Sequence, residues 1–335
     1  MIPSLVSLDT NPKRSNAGGS NEPTDKEKFE LLSDEVKDLV LEQAAYSSDC
    51  TDTGKWCSLM RCDESVWRRA CVAREWNDKP QHFTWRIWYA RKCKPDWANQ
   101  MDENLFFESR IGDVNKVRLL LDRGADIHSR NDEALRWASI NGRLDVVRLL
   151  LDRGADIHAE NNGALRWASL NGYLDVVRLL LDRGANVHAL DNGALRNASD
   201  NGYLDVVRIL LDRDANIHAR DDDALRLASE YGHLEVVRLL LDRGANIHAE
   251  NDYALRRASE GGYLEIVRLL LDYGANIHAE NDYALRYASE GGHLEIVRLL
   301  LDHGANIHAL HNYALRYASQ KGHLEVVRLL QEWAS

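Results

Sequence analysis

The chain has 335 residues and a formal net charge of −11, with 28% charged and 44% hydrophobic residues. That length suits two domains or one elongated array, and the acidic balance disfavours nucleic-acid binding, which needs a basic excess facing the phosphates. No apolar run approaches the roughly 18 residues of a membrane span, and residues 1–10 lack the basic start and continuous apolar core of a secretory signal.

In chain order, residues 1–29 are rich in Ser, Asn, Gly, Pro and charge, which predicts a disordered tail. The composition then changes sharply. Residues 30–99 hold six of the nine tryptophans, between Trp56 and Trp97, so a small aromatic core is expected there. Leu32, Val36, Leu39 and Val40 recur at helical spacing. Asp34 and Glu35 fall in the first turn of that helix, where its dipole favours them. The five cysteines (Cys50, Cys57, Cys62, Cys71 and Cys93) are odd in number and form no Cys-x-x-Cys pair. They read as reduced thiols of a cytoplasmic or nuclear protein with no metal site.

From residue 101 to 335 the chain is periodic. Gly112, Gly142, Gly172, Gly202, Gly232, Gly262, Gly292 and Gly322 stand thirty residues apart. Around them repeats a unit such as Asn-Asp-Tyr-Ala-Leu-Arg-Tyr-Ala-Ser-Glu-Gly-Gly-His-Leu-Glu-Ile-Val-Arg-Leu-Leu-Leu (281–301). Seven units carry Ala-Leu-Arg-x-Ala-Ser, and a degenerate eighth opens the array at Met101. Each unit predicts two short helices. The first, over 283–290, ends at the Gly291-Gly292 turn; the second runs from about Leu294 to Gly304, a left-handed C-cap. Helices this short are marginal alone in water. They hold only when neighbouring units bury each other's apolar stripe, so the array is an all-α solenoid. In the last unit Gln331 replaces the third leucine, as a polar end face requires.

These units resemble the ankyrin repeat, most closely in Gly-His-Leu-Glu-Ile-Val (292–297) and Leu-Leu-Leu-Asp-His-Gly-Ala-Asn-Ile (299–307). The resemblance implies a helical scaffold that binds another protein. Two departures stand out. The family's Thr-Pro becomes a variable residue plus Ala, and its His becomes Arg (Arg136 to Arg316). The repeat is also three residues short between Ala309 and Tyr313, where the family projects a β-hairpin finger, so fingers are expected to be stubby or absent. The short repeat and its Ala-Leu-Arg-x-Ala-Ser variant also look like the ankyrin arrays encoded by giant DNA viruses. Residues 32–41 and 56–69 are similar to an F-box, in Leu32-Ser33-Asp34-Glu35-Val36 and in Trp56, Leu59 and Asp63-Glu64-Ser65-Val66-Trp67-Arg68-Arg69. That resemblance implies docking on the SKP-type linker of a cullin–RING ubiquitin ligase through Leu32, Val36, Val40 and Leu41. The alternative is a helical cap that only shields the first repeat.

Residues repeated in every unit are expected to hold the stack, and those that vary to read a partner. The variable first-helix positions lie three or four residues apart and share a face. They offer Trp137, Ile140, Trp167 and Leu170 early. Later they offer the tyrosines Tyr253, Tyr283, Tyr287, Tyr313 and Tyr317 beside Glu230, Glu260 and Glu290. This face is the expected site for a protein target with an apolar segment followed by a basic one. The histidines at His128 and every thirtieth residue to His308 stand about one repeat apart, too far to share an ion, and read as structural. No nucleophile elbow, phosphate-binding glycine loop or catalytic carboxylate pair appears, so no enzymatic activity and no cofactor are expected.

Overall fold

The computed structural model describes residues 95–335. The expected tail at 1–29, the five cysteines and the F-box-like residues Leu32, Val36, Val40 and Leu41 lie outside the described residues. Contacts divide the chain into Met1–Ala98 and Asn99–Ser335, and the second unit holds all eight repeats. Among the described residues there are sixteen α-helices and no strand. None is long and apolar enough to cross a membrane.

The first helices of the repeats are α1 (Pro95–Ile111), α3 (Ser129–Ile140), α5 (Ala159–Leu170), α7 (Ala189–Asp200), α9 (Ala219–Glu230), α11 (Ala249–Glu260), α13 (Ala279–Gly291) and α15 (Ala309–Lys321). The second helices are α2 (Val114–Asp122), α4 (Leu144–Asp152), α6 (Leu174–Asp182), α8 (Leu204–Asp212), α10 (Leu234–Asp242), α12 (Leu264–Asp272), α14 (Leu294–Asp302) and α16 (Leu324–Ala334). From α3 to α15 each first helix packs on its own second helix, and successive first helices pack on one another. Val147, Val177, Val207, Val237, Val267 and Val297 are fully buried, as are Leu150, Leu180, Leu210, Leu240, Leu270 and Leu300. Each such leucine contributes roughly 1.5–3 kcal/mol relative to an exposed one, and its cover comes from adjoining repeats joined in one continuous core. Gln331 is exposed, in keeping with a polar last repeat.

The glycines of the thirty-residue period have two functions. Gly172 takes φ +73°, closing the first helix, and a Cβ there would lie 2.5 Å from the ring of Tyr203 in the next repeat. The same close approach joins Gly142 to Tyr173 and Gly232 to Tyr263. Only a residue without a side chain satisfies both the left-handed backbone and the ring seated on it.

The shortened connection takes an unusual form. Every first helix from α3 to α15 opens on three consecutive left-handed residues, such as Glu160, Asn161 and Asn162, with φ between +48° and +59°. The right-handed helix starts only at the next residue, for example Tyr283 in α13. No hairpin finger forms among the described residues, because three residues reverse the chain directly.

Candidate interaction surface

A left-handed backbone costs a non-glycine residue roughly 1–2 kcal/mol, so a run of three needs compensation. The second and third residues of the turns are Asn or Asp, which tolerate this region, except for His311. The arginine that replaces the family's histidine supplies the rest. Arg256 donates from Nε to Asn251 O at 3.1 Å and from Nη2 to Glu250 O at 2.9 Å. Arg166, Arg226 and Arg286 make the same pair of bonds to their own turns. A planar guanidinium suits two carbonyls side by side, which an ammonium cannot match.

The third turn residue links one repeat to the next. Asp132 Oδ1 accepts from Asp156 N–H at 2.7 Å, and Asn162 Oδ1 accepts from Asn186 N–H at the same distance. The histidine ladder belongs to this network. His188 donates its backbone N–H to Asn186 Oδ1 (2.9 Å) and its Nδ1–H to Asn192 Oδ1 (3.2 Å). Asn192 in turn accepts from Asn216 N–H. Burial raises the Asp132 carboxyl, against the lowering by Asp156 N–H and His128.

On the outer surface the aspartates that end the second helices form a charge ladder with arginines of the following repeats. Asp122, Asp152 and Asp212 pair with Arg153, Arg183 and Arg243 of the following repeat at 2.8–2.9 Å. Arg298, on one of these helices, approaches Glu295 one turn before it at 3.9 Å. A thirty-one-residue step lays each arginine over the aspartate that ends the preceding second helix.

The predicted partner-facing residues all lie on the first helices. Trp137 on α3 is half-buried, with Phe106 at 5.9 Å and Arg110 at 5.4 Å from its ring, and its indole N–H donates to Glu133 at 3.2 Å. Ile140 and Leu170 are half-buried, and Trp167 on α5 is exposed. The tyrosine and glutamate columns are joined across repeats. Tyr253, Tyr283 and Tyr313 each donate a hydroxyl to Glu230, Glu260 and Glu290 of the preceding repeat at 2.9, 2.9 and 2.7 Å. Tyr283 stacks on Tyr287 and Tyr313 on Tyr317, both with ring centres 4.0 Å apart. Arg286, itself buried, lies 5.0–5.5 Å from Tyr283, Tyr287 and Tyr313. Burial first, and then the glutamate bond, pushes the Tyr283 and Tyr313 hydroxyls well above the usual phenol range.

Sequence reasoning missed three features: the arginine clamp, the Asn/Asp staple, and the residue that follows each periodic glycine. His233, His293 and His323 donate from Nε2 to Asp200 O, Glu260 O and Glu290 O at 2.9–3.0 Å, and Arg143 does likewise to Arg110 O. The available signal was an aromatic or basic residue directly after each of those glycines from Gly142 to Gly322.

Among the described residues no group of three His, Cys, Asp or Glu side chains could hold a metal ion. The arrangement is a stack bound together by its repeated residues, with variable side chains along the first helices. No curated protein matched the chain. The family model described as "Ankyrin repeats (3 copies)" matches residues 105–191, 165–251, 195–281 and 255–334, which together span more than half of the chain. The chain therefore belongs to the ankyrin-repeat family, whose members are in general non-catalytic scaffolds that bind proteins.

Proposed function

We propose that the chain is a protein-interaction scaffold whose first-helix face holds a target protein. An apolar stretch of the target lies against Trp137, Ile140, Trp167 and Leu170. A basic stretch lies along Glu230, Glu260 and Glu290 with Tyr253, Tyr283, Tyr287, Tyr313 and Tyr317. One observation carries this reading: the variable first-helix side chains lie three or four residues apart on each first helix, whereas the repeated Arg, His and Asn/Asp residues are engaged in the stack. Aromatic side chains are favoured anchors in protein interfaces; Trp167 is exposed, and Trp137, Tyr253, Tyr283, Tyr287, Tyr313 and Tyr317 are half-buried.

Within the same reading the chain is an adaptor of the cytoplasm or nucleus. The F-box-like residues Leu32, Val36, Val40 and Leu41 dock on the SKP-type linker of a cullin–RING ubiquitin ligase, and the array presents the target. Support for this comes from the likeness of residues 32–41 and 56–69 to that motif. The competing function is a plain module that sequesters its partner.

Co-purification of the full chain with an SKP-type linker separates them. Retention of the linker, lost in Leu32→Ala/Val36→Ala, supports the adaptor; no retention leaves the sequestering module. For the target, Trp137→Ala/Trp167→Ala is expected to release what the chain captures, while Arg153→Ala on the outer ladder keeps it. Release by neither variant overturns the first-helix face.

A further inference from the structure

The joint between the fourth and fifth repeats is built differently from those that follow it. In the later joints a tyrosine hydroxyl is donated to the glutamate twenty-three residues earlier, as Tyr253 does to Glu230 at 2.9 Å and Tyr313 to Glu290 at 2.7 Å. Between α7 and α9 the same two places are held by Asp200 and Asp223. A donor facing an acceptor has become two acceptors, so the pair has no hydrogen bond of its own while both are ionised.

The neighbouring groups decide which carboxylate takes up a proton. Asp223 accepts from Arg196 Nη1 at 3.0 Å on one oxygen and from Arg226 Nη2 at 2.9 Å on the other. Two guanidiniums favour its charged form. Glu230 already accepts the Tyr253 hydroxyl. Asp200 is half-buried, and its carboxylate makes no hydrogen bond or ion pair among the described residues. Arg196 stands one turn before it on α7, yet that guanidinium reaches Asp223 and its Nε is buried without a partner. The titratable groups that act on Asp200 are Asp223 and Glu230 of α9 and His233, which precedes α10; α5 and α8, the other helices packed on α7, supply none of them. Burial raises the Asp200 carboxyl above its ordinary 3.8, His233 opposes this, and Glu230 and Asp223 add to it.

We propose that Asp200 is a proton-binding site that tightens this joint in acid: its neutral carboxyl donates an O–H to the Asp223 carboxylate across α7 and α9, as the tyrosines do further along the array. The proton comes from solvent, and Asp223 keeps both guanidiniums and its charge. A hydrogen bond from a carboxylic acid to a carboxylate is of the strong, charge-assisted kind. The folded chain holds this proton at a pH where the unfolded chain has released it. The contribution is therefore complete below 3.8 and lost as pH rises through the folded value. At neutral pH the joint is left with an unpaired, half-buried carboxylate, which makes it a weak point of the array that acid closes. The device works whatever the first-helix face binds.

The full-length chain, isotopically labelled at its aspartate carboxyl carbons, is titrated by NMR, with Asp200→Asn identifying the Asp200 signal. That signal is expected to titrate above 3.8. Asp223→Asn removes the facing charge and puts an amide donor in its place, so it is expected to move the Asp200 midpoint down. Thermal midpoints give a second readout. Asp200→Asn carries a permanent donor where the neutral carboxyl would be, and is expected to melt above the parent at neutral pH, with the difference closing as pH falls toward 3.8. Asp205→Asn, which removes an exposed charge on α8, is expected to show no such pH-dependent gain. An Asp200 signal that titrates at or below 3.8, or one that Asp223→Asn leaves in place, overturns the proposal. So does an Asp200→Asn melting curve that matches the parent at neutral pH, or a gain that Asp205→Asn reproduces. If Asp223→Asn does not fold, the comparison of Asp200→Asn with Asp205→Asn decides alone.

Discussion

Asp214 stands where the other second helices close on glycine, and it takes the same left-handed backbone, φ +64° against +90° to +94° at the glycines. The penalty for a side chain there is on the order of 1 kcal/mol. Asp214→Gly is therefore expected to raise the thermal midpoint by about 2–4 °C, read by circular dichroism; a midpoint that stays or drops would contradict the strain. Arg256 marks a second residue-scale dependence. Its two bonds to Glu250 O and Asn251 O hold the left-handed turn. Arg256→Lys keeps the charge but loses the planar fork, and about 1–3 kcal/mol of stability with it. The urea midpoint is expected to fall; an equal midpoint would mean that the turn needs no clamp. The histidine column reads as structural from spacing alone, and the Nδ1 bonds from His188 to Asn192 and from His278 to Asp282 agree. The arginine's role was not legible, because its partners are main-chain oxygens of a turn whose handedness no residue type announces.

At the scale of the element, the starts and ends of the right-handed helices were legible, at Tyr283 and Leu294 as at their glycine ends, and the left-handed turn before each first helix was not. Glycine marks where a right-handed helix stops, and Gly292 and Gly304 do so where expected. The deletion of three residues predicted a missing finger, and the chain reverses instead through three left-handed residues. The tyrosine and glutamate columns looked independent in the sequence because they lie twenty-three residues apart; packing of α11 on α13 and α13 on α15 brings them into hydrogen bonds. These bonds make stability depend on alkaline pH. The Tyr283 and Tyr313 hydroxyls titrate above their ordinary value of 10.0 in the folded chain. The folded state thus holds the proton longer than the unfolded one, and the contribution is complete below pH 10 and lost as pH rises through the folded value. Thermal midpoints are expected to fall between about pH 10 and 12, and to fall less in Tyr283→Phe/Tyr313→Phe. Identical alkaline curves would show that the hydroxyl bonds add nothing.

For the whole array, stability is a sum over repeats and over interfaces between neighbours. The close helix pairings run between successive repeats, such as α7 with α9 and α9 with α11. Removing residues 189–218, one complete unit, joins His188 to Ala219 in the place of Ala189 and restores every neighbour type. That variant is expected to keep a cooperative melt and the same ellipticity per residue. Removing 189–203, half a unit, sets a first-helix position against a second helix and is expected to abolish the cooperative transition. A half-unit deletion that melts cooperatively would count against register as the organising constraint.

The sequence by itself determined the number of units, their two-helix plan, the buried valine and leucine columns and the family, because a thirty-residue period repeats each of these signals eight times. Only the tertiary structure decided which neighbours meet. The arginine clamp, the Asn/Asp staple and the tyrosine–glutamate pairs all depend on contacts between residues 23 to 33 apart or on backbone handedness. The physical reason is that composition and spacing specify which face a side chain occupies, while the offset between stacked repeats specifies what it touches.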